Sequence, residues 1–161
     1  MSVAFTKEGD SEAFAADLLD RPISSHPNLV TPSGLARIEA ELAAARAAYS
    51  AAQAGGDVAQ DRTAMARATR DLRYWSARRG SAQLRELDPS VEGLQFGGTV
   101  TFDREDGRQQ TFRIVGEDEA DPTQGSVSYV SPVARALLGK GVGDTAMVAG
   151  GEVEIIAIKQ D

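Results

Sequence analysis

Between Thr31 and Ala52, the residues Leu35, Ile38, Leu42, Ala45, Tyr49 and Ala52 recur at alternating spacings of three and four. A seam of that period is buried by laying one α-helix against another. Thr31-Pro32 supplies the start: a capping hydroxyl, then a residue whose missing N–H costs nothing in the first turn. The intervening Ala, Arg and Glu residues are good helix formers, and Gly55-Gly56 stops the run. From about Asp61, Met65, Ala68, Leu72 and Trp75 repeat the spacing, with Gly80 expected to close the second helix. Two complementary seams joined by a short glycine turn predict an antiparallel helical hairpin with Tyr49 and Trp75 packed inside it.

Beyond this pair the period falls from 3.6 to 2. Gln95–Phe102, Gln109–Gly116, Ser126–Val130, Thr145–Ala149 and Glu152–Lys159 alternate or run β-branched between glycines, as strands do. Ser131-Pro132 opens one short helix, Val133–Leu138, stopped by Gly139. The expected fold class is α+β: an N-terminal antiparallel helical hairpin, a coiled coil, followed by a twisted antiparallel sheet packing one short helix. Asp88-Pro89 marks the junction. The expected divisions are a leader over residues 1–29, the hairpin over 30–88 and the sheet domain over 89–161. Within the leader, Ser11–Asp20 suits a short amphipathic helix using Phe14, Leu18 and Leu19, and Arg21–Pro27 breaks it. Two readings of the leader stand: a frayed arm, or an arm that binds a partner.

The chain has no cysteine, which excludes disulfides and thiolate metal sites. No apolar run approaches the ~18–20 residues of a spanning helix, and acids occupy the N-terminus where a signal peptide needs bases. A soluble cytoplasmic protein without membrane contact is expected. The net charge of −7 is uneven: residues 1–30 carry −3, residues 31–89 carry +2 and residues 90–161 carry −6. An acidic chain is a poor general ligand for nucleic acid, because phosphate contacts need clustered cations.

The exception is the second helix. Arg62, Arg67, Arg70, Arg73, Arg78, Arg79 and, just beyond, Arg85 fall within 24 residues, and Asp71 is the only acid among them. A solvated helix face would alternate charges for i,i+4 pairing. The imbalance points to an acidic partner surface or RNA. By contrast, Glu117-Asp118-Glu119-Asp121 reads as a solvated turn, since no calcium-loop spacing accompanies it. Lone His26 has no catalytic companion, and Gly97-Gly98 and Gly150-Gly151 read as strand-turn glycines rather than phosphate cradles.

Several stretches in order, LVTPSGLARIEAEL (29–42), FGGTVTF (96–102), RIVGEDEAD (113–121), SPVARALLGKGVGD (131–144) and GGEVEIIAI (150–158), make the chain resemble the bacterial GreA/GreB transcript-cleavage factors. The resemblance covers about four-fifths of the chain. It implies an FKBP-like C-terminal domain that docks on RNA polymerase, with Ser131, Pro132, Ala134 and Arg135 at the contact. It also implies that the hairpin is a finger entering the polymerase secondary channel, with a basic patch that contacts nascent RNA. In that family the tip is written GDLxEN, and its two carboxylates help hold a polymerase-bound Mg²⁺ that activates water, the protein having no metal of its own. Oxygen ligands suit Mg²⁺, and two-metal hydrolysis clamps both attacking and leaving oxygens.

Here the tip reads Gly56-Asp57-Val58-Ala59-Gln60-Asp61. Asp57 falls on the family Asp, Gln60 on the family Glu and Asp61 on the following Asn. An amide is a poor Mg²⁺ ligand and no base. Asp61 shares a face with Asp57 but is rotated about 100° from residue 60. Aligned with the usual family spacing, each arm is also about eight residues short, which at ~1.5 Å per residue removes about 12 Å of reach. The expectation is a regulatory factor, not itself an enzyme, that binds polymerase and stimulates cleavage weakly or not at all. The alternatives are an active cleavage factor using Asp57 and Asp61, a channel binder like the regulator of nucleoside diphosphate kinase, or a prolyl isomerase using Phe96, Phe102, Phe112 and Tyr129.

Overall fold

The computed structural model describes residues 18–55 and 58–160, with the backbone alone at 58–61. It contains two long helices, α1 (Pro32–Gln53) and α2 (Val58–Ser81), preceded and followed by the two-residue strands β1 (Leu29–Val30) and β2 (Gln83–Leu84). Then come β3 (Thr99–Arg104), β4 (Gln109–Val115), a 3-10 turn at Pro122–Gln124, β5 (Ser126–Ser128), α3 (Pro132–Leu137), β6 (Thr145–Val148) and β7 (Gly151–Lys159). The chain divides into two compact units. One holds residues 37–81 with the described residues up to 25, and the other holds residues 26–36 with those from 82 onward.

In the helical unit the seam residues Ile38, Leu42, Ala45 and Ala52 of α1 are buried, as are Ala68 and Trp75 of α2, while Tyr49, Met65 and Leu72 are half-buried; Leu35, also half-buried, belongs to the other unit. The helices run antiparallel: Arg79, near the end of α2, places Nε 3.0 Å from Oε1 of Glu39, near the start of α1. The seam thus buries the small Ala45, Ala52 and Ala68 together with the large ring of Trp75. Of the leader helix expected over Ser11–Asp20, residues 11–17 lie outside the described residues, and residues 18–20 are not helical.

The second unit is built on a five-stranded sheet of order β5-β4-β3-β7-β6. Three pairings are antiparallel, and β4–β5 at one edge is parallel. A parallel neighbour needs a connection longer than a hairpin; the acidic segment and the 3-10 turn supply it. Val100 and Phe102 of β3 and Val153 and Ile155 of β7 alternate inward with period 2. Opposite Thr101/Phe102 the register skips Ile156 as a bulge, so that Ile158 rather than Ala157 packs on the core. One extra residue reverses the facing of every later side chain. Ala134 and Leu137 of α3 close the core together with Leu94, Ile114, Val127 and Val148. Phe102 lies wholly inside this core and stacks at 6.0 Å on Phe112, and Phe96 meets Tyr129 edge-on at 5.7 Å. All four aromatics pack in or against this core.

The strand pair β1–β2 has no counterpart in the sequence reading. It is parallel, with Leu29 opposite Gln83 and Val30 opposite Leu84, and Gln83 N–H and Arg85 N–H extend it by donating to Asn28 and Val30 carbonyls at 2.8 and 3.0 Å. The segments that enter α1 and leave α2 are thereby hydrogen-bonded to each other. Strand β1 lies against the end of β4, where the Leu29 carbonyl occupies the space a Cβ on Gly116 would need. In the β3–β4 turn, Asp106 accepts from the Arg108 N–H at 3.0 Å and its Nε at 2.6 Å. Those bonds hold the Asp106 carboxyl below the usual carboxylate range. That stabilisation is present at neutral pH and is lost as pH falls through the lowered value.

A Gly116→Ala substitution is expected to lower stability by about 1–3 kcal/mol, the usual cost of overpacking. Urea unfolding checks this, with Gly107→Ala as a contrast: Gly107 has open space around it but a φ of 85°, so its cost comes from backbone strain alone.

Candidate functional site

The residues expected at the docking contact lie at the start of α3. Ser131 is the N-cap, with φ −65° and ψ 153°; its Oγ accepts from Ala134 N–H at 3.3 Å and donates to the Ser128 carbonyl at 2.6 Å. Pro132 follows in the first turn and is exposed. Ala134 faces the core with no exposed surface, which removes it from any direct contact; a three-residue step from Ser131 turns it inward. Arg135 is exposed and makes no ion pair among the described residues. Of the four, Pro132 and Arg135 are presented outward, and Ser131 holds the helix that presents them.

The tip residue Asp57 lies outside the described residues. Gln60 and Asp61 fall in the first turns of α2, and their side chains lie outside the described residues as well.

The arginines of α2 do not form a single stripe. At ~100° per residue, Arg62, Arg70 and Arg73 fall within about 80° of one another on the face away from the seam. Arg79 lies on the seam and pairs with Glu39. Arg78 is 2% exposed and makes its interactions inside the fold, which removes it from an accessible cationic surface. Nor is the outer face unpaired, because its acids come from elsewhere in the chain. Arg73 NH1 lies 3.1 Å from Asp20 Oδ1 in the leader. Asp71 lies 3.5 Å both from Arg70 Nε and from Arg21 NH1. Arg21 also stacks over Tyr74, 3.9 Å from the ring centroid, and lies 5.3 Å from the centroid of Trp75. Each such contact on an exposed surface contributes roughly 0.2–1 kcal/mol. The leader segment is held on α2 by several weak contacts rather than one strong one. An i,i+4 search within α2 could not find Asp20 or Arg21, which belong to another part of the chain.

The acidic run contains a residue that sequence reasoning missed. The Glu119 side chain is 14% exposed, not solvated. Its Oε1 accepts from Thr31 Oγ1 at 2.5 Å and its Oε2 from Ser33 Oγ at 2.6 Å. Arg113 NH1 sits 3.5 Å from Oε2 and donates to Ser33 Oγ at 3.2 Å. Thr31 Oγ1 in turn accepts from Gly34 N–H at 3.0 Å, as an N-cap does. A carboxylate at a helix N-terminus is favourable for the axial dipole as well. Gly34 is required: a Cβ there would stand 2.8 Å from Glu119 Oε1. Beside this cluster is an open cavity of about 490 Å³, with Pro32, Leu87, Pro89 and Gly97 as its apolar wall and Arg85 and Arg113 at its polar edge. Arg113 is committed to Glu119, and Glu86 also lines the cavity next to Arg85, so it offers no net charge.

Comparison with known proteins decides the family. Residues 90–160 match the family model described as "Transcription elongation factor, GreA/GreB, C-term". Transcription elongation factor GreA of Nitratidesulfovibrio vulgaris is 36% identical over 132 residues, which cover 81% of this chain and 75% of that protein. The chain belongs to the GreA/GreB family of transcription elongation factors. GreA of Desulfovibrio desulfuricans is 42% identical over 97 residues, 59% of each chain. Among solved structures, GreA factor homolog 1 of Thermus thermophilus aligns over 83% of this chain and 99% of that one, at 22% identity and a TM-score of 0.38. Among the described residues of this Gre-family chain, no helix is long and apolar enough to cross a membrane.

Replacing Glu119 by Ala is expected to cost about 1–3 kcal/mol, because the buried Thr31 hydroxyl loses its acceptor. Glu105→Ala in the exposed β3–β4 turn should stay within about 0.5 kcal/mol. Paired urea or thermal unfolding measurements check both.

Proposed function

We propose that this chain is a regulator of transcription elongation that binds bacterial RNA polymerase without efficiently stimulating transcript cleavage. The observation that carries the reading is Gln60, an uncharged amide where the family's tip has a carboxylate. Holding Mg²⁺ and orienting its water needs anionic oxygens, and metal-assisted hydrolysis tolerates little misplacement. The reading also rests on the hairpin, residues 30–88, being the channel finger. If its arms are each about eight residues short of the family length, the tip stops about 12 Å early. The sheet domain, residues 89–161, is the docking body. Pro132 and Arg135 meet the polymerase, and Ser131 and Ala134 support them from behind. Such a factor is not itself an enzyme, works in the cytoplasm and needs no cofactor of its own. Any Mg²⁺ involved belongs to the polymerase.

Cleavage assays on a stalled, backtracked elongation complex test the tip. Wild type should give weak cleavage or none, and Gln60→Glu should not restore it unless both arms are lengthened. Robust wild-type cleavage that Asp57→Asn or Asp61→Asn abolishes would assign those two carboxylates to the metal instead and overturn the reading. Docking is tested by pull-down with purified polymerase. Arg135→Glu should weaken capture about tenfold or more, as reversal of an interfacial charge does, and undiminished capture would exclude the α3 contact.

A further inference from the structure

The cavity of about 490 Å³ beside the start of α1 has no part in the tip or in docking, and every residue lining it belongs to one compact unit. Its volume falls within the roughly 300–1,000 Å³ of small-molecule sites, which join an apolar wall to a few convergent polar groups. The wall closes around Gly97, where a Cβ would stand 3.8 Å from Leu87 Cδ2 and 4.0 Å from the Thr31 methyl group. Pro32 and Pro89 add two rings with no N–H to satisfy. A slot of that kind takes an apolar side chain.

The polar edge carries groups that the fold leaves unused. Arg85 gives its backbone N–H to the Val30 carbonyl at 3.0 Å, but its guanidinium makes no hydrogen bond or ion pair among the described residues. The Glu86 carboxylate is likewise uncommitted there, and it does not pair with Arg85. Gln160 spends Oε1 on the Gln95 N–H at 2.8 Å, and its NH2 has no acceptor among the described residues. Arg113 is already taken by Glu119. One uncommitted cation and one uncommitted anion therefore stand on neighbouring residues, with Cα atoms about 3.8 Å apart, at the edge of an apolar slot. A simple anion would meet Glu86, and a simple cation would meet Arg85. A small zwitterion satisfies both.

We infer that this cavity is a binding site for a free α-amino acid with an apolar side chain. The guanidinium of Arg85 and the NH2 of Gln160 hold its carboxylate, because planar donors match that group. Glu86 holds its ammonium, and the side chain lies among Pro32, Leu87, Pro89 and Gly97. Arg85 and Glu86 are both exposed, so each ion pair is weak and the site answers to a ligand present at about millimolar concentration. Occupancy stabilises the unit that carries it by mass action. The inference stands independently of the cleavage and docking readings.

Titration of the isotope-labelled full chain with phenylalanine, followed by NMR, tests the site. The Gly97 N–H, which donates to the Ile114 carbonyl at 2.7 Å, reports from the wall. Its signal should shift saturably with a Kd of about 1 mM, the affinity that ordinary ligand efficiency gives a molecule this small. N-Acetylphenylalanine lacks the ammonium and phenylalaninamide lacks the carboxylate. Each should bind wild type about two- to fivefold more weakly, the worth of one exposed ion pair. Arg85→Gln should weaken phenylalanine and leave phenylalaninamide unchanged. Glu86→Gln should weaken phenylalanine and strengthen N-acetylphenylalanine. Both side chains are exposed and uncommitted, so the rest of the spectrum should match wild type. Absence of a saturable shift overturns the proposal. So does equal binding of the three phenylalanine forms, which would make the cavity a slot for the apolar side chain of a peptide. Glycine, a zwitterion without a side chain, should not bind at the same concentration; equal binding of glycine overturns the proposal as well.

Discussion

The Glu119 carboxylate fixes the start of the first long helix. Two hydroxyls from the first turn, Thr31 and Ser33, converge on its two oxygens, and Arg113 of β4 closes the set from the sheet side. Thr31 is 1% exposed, so the loss of its acceptor on Glu119 would orphan a buried hydroxyl, which is costly. The same backbone that carries Thr31 forms β1 two residues earlier and pairs with β2. A short polar segment therefore decides three things together: where α1 begins, how its cap is satisfied and which strand receives the chain after α2.

Charge is distributed by the same economy. A helix with six arginines and one acid after its first turn looks like a cationic surface, yet four of the arginines are taken up by partners or burial. Arg79 ties the hairpin together through Glu39, Arg78 is taken into the interior, and Arg73 and Arg70 are answered by Asp20 and Asp71. The outward face that remains is narrower than the composition suggests, and the leader partly covers it. In the sheet unit Arg135 is the opposite case, an exposed cation on a helix that buries Ala134 and Leu137 in the core. Arg135 and the outward arginines of α2 thus belong to different compact units.

Much of the fold was legible in the sequence because periodicity is a local consequence of backbone geometry. The 3,4 spacing from Leu35 to Ala52 marked α1, and Met65 to Trp75 marked α2. The change to period 2 placed all five strands, and Ser131-Pro132 started α3 correctly. Failures came wherever a residue's role depends on distant partners. Glu119 was read as a solvated acid because Thr31 lies 88 residues away along the chain. Ala134 was read with its neighbours as a contact residue because a motif does not say which side of a six-residue helix faces the core. Arg78 was grouped with accessible arginines because a long charged side chain is normally solvated.

The sequence by itself determined the two helices, the strands that follow, the family and the uncharged Gln60 at the tip, since each is carried by residue type and local spacing. Tertiary structure alone decided the parallel β1–β2 pair, the Ile156 bulge, the capture of Glu119 by the helix start and the pairing of Asp20 and Arg21 with α2. The physical reason is range. Backbone propensity and hydrophobic period act over a few residues, whereas the partner of a hydroxyl, a guanidinium or a two-residue strand is chosen by what the folded chain brings within about 3 Å.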